Sequence, residues 1–195
     1  MSRVFVACKK KVLNRGIPPD GFLNEIIDWA KSAPDEIFAP NAIHDIYSNI
    51  VHELGPWQNI THRKAAMLEV MRVEAGFESS WKWGEGVDAS KHEVNTLRTE
   101  EAGIFQCSCN SMGFNPSLKA LLMKVAGKTD CETFIKESKS NHAFAIEYFA
   151  RLVRFTVDHH GPIKRKEINP WLSREAVSEF ERFLKLEDGS PEAKA

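Results

Sequence analysis

Thr61-His-Arg-Lys-Ala-Ala-Met-Leu-Glu-Val-Met-Arg-Val-Glu-Ala-Gly-Phe77 runs directly into Glu78-Ser-Ser-Trp81-Lys-Trp83. Ala66, Val70, Val73 and Phe77 recur every three to four residues, which predicts one helix with a buried stripe. Thr61 is a candidate N-cap, and Gly76 marks the expected end of the helix near residues 74–76. Glu78 then follows an apolar helix and stands between Phe77 and Trp81. Aromatic rings beside a carboxyl strip its water, disfavour the anion and raise its pKa. A carboxyl that keeps its proton near pH 7 is what a general acid needs.

The pattern on either side is helical. Gly16-Ile-Pro-Pro-Asp-Gly21 is a turn. Asp20 can cap a helix with Phe22, Leu23, Ile26, Ile27 and Ala30 on one face, which Ala33-Pro34 ends. A second helix is read from Asn41 to Leu54, with Ile43, Ile46, Ile50 and Leu54 inside and Gly55-Pro56 as its stop. Beyond the turn at Asn110–Pro116, helices are read over 117–126, 130–137, 141–157 and 174–186. His159-His-Gly-Pro162 terminates the long one. Between Trp81 and Glu100 the helical period disappears, which reads as a long loop or irregular β region of the kind that carries function. Gly103-Ile-Phe-Gln-Cys-Ser108 reads as a short extended segment entering the core. The expected fold class is therefore mainly α: a helical bundle with a small irregular or β insert forming one side of a cleft.

Bulk properties narrow the function. At 195 residues the chain is one domain with an elaboration, by a scale of ~150 residues per domain. Roughly 70% of the unfolded surface is buried at this size, enough for a core without staples. The 26 Lys and Arg against 27 Asp and Glu give a net charge of −1, which argues against a general nucleic-acid binder. No apolar run approaches the ~18 residues of a membrane span, so no membrane insertion is expected. Val4 to Cys8 is too short for a secretory signal, and the basic cluster Lys9–Lys11 follows it rather than precedes it. The chain is thus expected to be made in the cytoplasm. Four cysteines are too few for a disulfide framework. Cys107-Ser-Cys109 has no second pair nearby, so no metal is expected there, and both are read as small buried or half-buried side chains.

Chemistry concentrates around the insert. Trp81 and Trp83 offer flat apolar faces of the kind on which sugar rings stack. Asp88, Glu100 and Glu101 bring further carboxylates, and Gln106 an amide that can hydrogen-bond a hydroxyl or acetamido group. Two carboxyls flanking a polar cleft are the basic equipment of glycoside hydrolysis. His159 and His160 read first as cations at a helix C-terminus, with His160 able to line the cleft wall. A metal-dependent hydrolase built on the two histidines is the weaker reading, since no Asp, Glu or His partner lies at a useful local spacing.

Glu78-Ser-Ser-Trp81 resembles the E-S-x-F motif of the lysozyme-like superfamily, especially lytic transglycosylases and goose-type lysozymes. Ala102-Gly-Ile-Phe-Gln106 is similar to that family's following A-G-L-M-Q segment. The order of apolar helix, Glu, polar loop, second motif and further helices is similar too. The resemblance covers about thirty residues, Glu78 to Gln106. It implies that Glu78 is the catalytic acid at the end of a buried helix and that Gln106 lies in the substrate cleft. It also implies cleavage of peptidoglycan glycan strands, or of chitin or chitosan, without a cofactor.

The chain departs from the family pattern in three ways. The loop between the motifs is longer and highly charged. Glu74-Ala-Gly-Phe77 also fits E-x-x-F, which makes Glu74 a rival acid, although Ser-Ser-Trp favours Glu78. The family's late Y-N-x-G segment is not plain, and Thr156–Pro162 stands in its place. On this reading, residues 1–60 are a helical extension, 61–186 the lysozyme-like core and 187–195 a frayed tail. Glu101 or Asp88 would orient water in a hydrolase; without either, the substrate's own 6-hydroxyl would attack. The setting is a phage endolysin or an antibacterial effector acting outside the cytoplasm. The competing reading is an inactive carbohydrate-binding protein of the same fold, with Glu78 neutralised by Arg72 or Lys82.

Overall fold

The helix around which the molecule is built runs over Ile60–Ser79, longer at both ends than the sequence spacing predicts. The computed structural model describes residues 3–86 and 96–186. In chain order its helices are α1 (Asp20–Ser32), α2 (Ile46–Asn49), α3 (Val51–Leu54) and α4 (Ile60–Ser79). They continue with α5 (Pro116–Ala126), α6 (Cys131–Ser140), α7 (His142–Phe155), α8 (Gly161–Lys164) and α9 (Arg174–Lys185). Two short strands, β1 (Glu101–Ala102) and β2 (Cys107–Ser108), pair antiparallel, with Glu101 opposite Ser108 and Ala102 opposite Cys107. The protein is mainly α with a small β insert. Among the described residues, no helix is long and apolar enough to cross a membrane.

Helix α4 is buried on all sides rather than along one stripe. It packs most extensively on α9, with α1 and α8 also against it. Asn59, not Thr61, caps it: the Asn59 side chain accepts from the His62 N–H at 2.9 Å. Gly76 does not end the helix. Its missing side chain makes room for the Trp81 ring and Val12, which would meet a Cβ there at 2.8 and 3.1 Å. The helix stops only at Ser80, in a left-handed conformation, whose N–H reaches back to the last turn.

Two other helix expectations are corrected. Asp20 is the first residue of α1, preceded by Pro19, and its carboxylate accepts from Lys9 Nζ at 2.5 Å. The single helix expected over Asn41–Leu54 is two short ones, α2 and α3. Asp45 caps α2 and also takes Arg154 Nε at 2.7 Å, so a tertiary ion pair fixes where the helix begins. Ile43, expected inside, is exposed. Helix α8 follows directly on His160, where the sequence predicts only a terminator.

The N-terminal segment belongs to the same core as α4. Cys8, Val12, Phe22, Leu23, Ile26 and Ile27 are buried in one apolar cluster with α4, α7 and α9. Glu179 of α9 accepts the backbone N–H groups of Val6 and Cys8, which fastens that segment down. Inside α4, the fully buried Arg72 makes a two-pronged bond to Glu69 at 2.7 Å and donates to the carbonyls of Lys10 and Trp171. Glu69 also accepts the Ser173 N–H at 2.8 Å. A buried charge pair persists only where its remaining donors and acceptors are satisfied in this way.

Cys109 is buried, and it carries a bond that the sequence reading does not foresee. It forms a disulfide with Cys131 at the start of α6, tying the end of the β insert to the helical layer. Cys107 and Cys8 are buried free thiols.

Candidate active site

The C-terminal turn of α4 and the β insert are joined through one side chain. Ser79 Oγ donates to the Ile104 carbonyl at 2.8 Å, with the Ala75 carbonyl at 3.1 Å, and accepts the Lys82 N–H at 3.2 Å. The turn it grips, residues 103–106, closes the β1–β2 hairpin. Gly103 has φ +76°, and a Cβ there would lie 2.1 Å from the Ser138 carbonyl oxygen. Only glycine fits that approach. Gln106 is also left-handed, at φ 46°. Its Nε2 donates to the Gly103 carbonyl at 2.7 Å and reaches the Glu85 carbonyl at 3.4 Å. The amide nitrogen expected to meet a substrate is therefore turned inward, where it braces the hairpin.

Glu78 is half-buried on the last turn of α4, one residue before this anchor. One turn earlier on the same helix, Glu74 is wholly buried. Neither Glu74 oxygen has a hydrogen-bond partner among the described fixed donors. Burial raises Glu74 well above the usual carboxylate range, and the nearby Glu78 carboxyl raises it further. Glu74, Glu78 and His160 each bring one polar atom to a common point, all within 4.8 Å of one another.

His160 reaches this point from just before α8. Its Nδ1 is 3.7 Å from Glu74, and its Nε2 is 3.7 Å from the Cys107 sulfur. Burial keeps the imidazole neutral, with the neighbouring His159 adding to the effect. The His160–Glu74 contact thus joins two uncharged groups rather than an ion pair. His160 packs against Phe149, on which Phe105 of the hairpin is stacked at 4.2 Å. The cation-at-a-helix-end reading of His160 is corrected, because the ring lies inside the protein. Burial pushes the Cys107 thiol up, and so do the neighbouring carboxyl groups of Glu78, Glu74 and Glu101. Such a thiol is a poor nucleophile.

The remaining candidates fall elsewhere. Trp81 is 5% exposed, lies over Gly76, and donates its ring N–H to the Arg72 carbonyl at 2.9 Å. It is a core residue with no face for a ligand. Trp83 is half-buried, and one of its faces is stacked on His142 at 3.7 Å. His142 in turn meets Glu25 of α1. Glu101 is half-buried at the start of β1, close enough for its charge to act on Cys107. Asp88 lies outside the described residues, as does the tail 187–195. Arg72 is held by Glu69, and Lys82 pairs with Glu85 at 3.3 Å.

Sequence reasoning missed the convergence of Glu74, His160 and Cys107. Glu74 and Glu78 could be placed on one helix face by their spacing. No local signal could bring in His160 and Cys107, which arrive through tertiary packing. Comparison with protein-family models, with curated proteins and with solved structures returns no match.

Proposed function

We propose that the chain is a lysozyme-like glycosidase that cleaves the glycan strands of peptidoglycan, with Glu78 as the acid. The observation that carries this reading is the bond from Ser79 to Ile104. It fixes the Glu-Ser-Ser-Trp segment against the Ala-Gly-Ile-Phe-Gln turn, so the two motifs that resemble the lysozyme-like superfamily meet in space. Glu78 is held at the point of meeting, on a rigid helix rather than a loop.

In the mechanism, Glu78 gives its proton to the glycosidic oxygen as the C–O bond breaks, and positive charge develops on the sugar ring. Glu101, at the start of the hairpin that meets the end of α4, is the described residue proposed to orient water. In an inverting hydrolase the two carboxyls would stand ~6.5–9.5 Å apart. Otherwise the 6-hydroxyl of the substrate attacks and an anhydro end forms. The Cys109–Cys131 disulfide supports a working place outside the reducing cytoplasm, since such bonds persist in oxidising surroundings. Chitin and chitosan are the alternative substrates.

The test is clearing of a purified cell-wall suspension by wild type and by Glu78→Gln. Cleavage by the wild type with a loss of about a hundred- to ten-thousandfold in the variant is expected, the usual scale for removing a general acid. Reducing ends among the products mean hydrolysis, and anhydro ends mean transglycosylation. Full activity of the variant would remove Glu78 from the reaction. Binding of the polymer by an inactive wild type would establish the carbohydrate-binding alternative.

A further inference from the structure

Glu74 poses a problem that the glycosidase mechanism does not use. It is a 0% exposed carboxyl in the middle of a core, and neither oxygen has a fixed hydrogen-bond donor among the described residues. An ionised carboxylate in that position would be prohibitively costly. Among the described residues, the Arg165 charge acts on it and the Glu167 charge works against that of Arg165. His160 is neutral, and Cys107 is a thiol at the far ring nitrogen of His160. The Arg165 guanidinium beyond α8 is exposed and bonded to Glu167 at 2.8 and 3.1 Å. The group that faces Glu74 is another carboxyl, Glu78. Two carboxylates repel. Two carboxyls with one proton between them attract, because one donates an O–H to the other.

We propose that Glu74 is a positioning residue that shares a single proton with Glu78 and holds it in reserve for the acid step. The proposal deepens the glycosidase reading and rests on it for its chemistry. In the resting protein the proton lies mainly on Glu74, the more deeply buried partner, which donates it to the Glu78 carboxylate. A glycan strand laid over Glu78 strips its water and evens out the two environments, so the proton passes to Glu78. Glu78 then delivers it to the leaving oxygen. The pair is left with two negative charges in a dry site, which makes it a strong base. It regains one proton from the 6-hydroxyl in a transglycosylase, or from solvent in an inverting hydrolase, where Glu101 takes the proton of the water on the opposite face and later releases it, so the proton count returns to its starting value at the end of the turnover.

A divalent cation could also satisfy the orphaned oxygens. Ligands about 2.0–2.2 Å from a tetrahedral zinc ion stand roughly 3.4 Å apart, so the 3.7 Å between His160 and Glu74 would suit a cation as well. The proton is favoured by the hydrogen bond between the Glu74 and Glu78 side chains, which two bare carboxylates could not make.

The test is a titration of ¹³C-carboxyl-labelled glutamates by NMR, with the two signals identified by their loss in Glu74→Gln and Glu78→Gln. In wild-type protein one carboxyl of the pair should stay protonated at pH 7. In folded Glu74→Gln the upper of the pair's two titration steps should disappear, leaving Glu78 to titrate alone below it. The alkaline limb of the cell-wall activity should move down by about one pH unit or more, the scale of a like-charge coupling. Both carboxyls ionised at pH 7 in the wild type would overturn the proposal, and that measurement stands if Glu74→Gln fails to fold. An upper step that persists in the variant would overturn it too. A wild-type titration that changes on adding a chelator would show a cation in place of the proton. If the wild type cleaves no cell wall, the glycosidase reading falls, while the titration still decides whether the proton is shared.

Discussion

Ser79 Oγ and the Ile104 carbonyl oxygen lie 2.8 Å apart, and through this bond the end of helix α4 controls the position of the β hairpin. The hydroxyl is buried, so nothing from solvent replaces it. Ser79→Ala leaves a buried carbonyl without this donor, at a cost of about 1–3 kcal/mol in stability. The cost in function should be larger than the stability loss suggests, because the hairpin drifts relative to Glu78. The check is cell-wall clearing at a temperature where the variant is fully folded. Wild-type activity there would show that the hairpin does not need this anchor.

Gly103 tests the same hairpin from its other side. An alanine Cβ would fall 2.1 Å from the Ser138 backbone oxygen and would also be forced to φ +76°. The neighbour is backbone, so it cannot swing away. Gly103→Ala should lose at least about 2–3 kcal/mol, from overpacking together with strain in the left-handed region. Urea unfolding measures it, and an unchanged midpoint would show that the turn has another conformation available.

The Cys109–Cys131 bridge closes a segment spanning 22 residues. A loop of that size is worth about 3 kcal/mol through restriction of the unfolded chain. Reductant, or Cys131→Ser, should lower the urea midpoint accordingly. The free thiols Cys8 and Cys107 are buried and should resist alkylation in the native protein. Equal midpoints with and without reductant would show that the bridge contributes nothing.

Helices α1, α5, α6, α7 and α9 were legible because each turns a periodic apolar face inward. Gly76 misled because its role is to admit the Trp81 ring, and a helix-ending glycine and a packing glycine look the same in sequence. Residues 41–45 misled for the opposite reason: their apolar spacing suits a helix, but Asp45 is claimed by Arg154 of α7. Of the site, Glu78 and the Ala-Gly-Ile-Phe-Gln turn could be picked out as short motifs. That Trp81 is core could not, because the deciding contact is its ring N–H on the Arg72 carbonyl. The approach of His160 to Glu74 depends on α8, four residues long and invisible to periodicity.

The Glu69–Arg72 pair makes a separate stability claim. Both side chains have no solvent exposure, and together they hold Lys10, Trp171 and Ser173. Arg72→Met strands the Glu69 charge and should cost about 3–5 kcal/mol. Replacing both residues with apolar ones should recover part of that loss. A double variant less stable than Arg72→Met would show that the backbone contacts, rather than the stranded charge, dominate.

His159 and the more deeply buried His160 both shape the acid side of the stability profile. Burial lowers the pKa of His159 from 6.5 to about 4. Between those values the unfolded chain binds a proton that the folded chain refuses. Stability from this group is therefore complete above pH 6.5 and is lost as pH falls towards 4. Glu74 works in the opposite sense: its raised folded value favours the native state most below about pH 4.5 and less as pH rises through that value. The two slopes separate in a variant. His159→Asn removes one of the rings that must stay neutral, so the part of the loss between pH 6.5 and 4.5 that His159 contributes, on the order of 2 kcal/mol, should disappear. The comparison is of slopes, because the edge contact with Phe114 is lost at every pH. Urea midpoints at pH 7, 5.5 and 4.5 decide it, and parallel profiles for the two proteins would show that His159 is not among the groups that titrate.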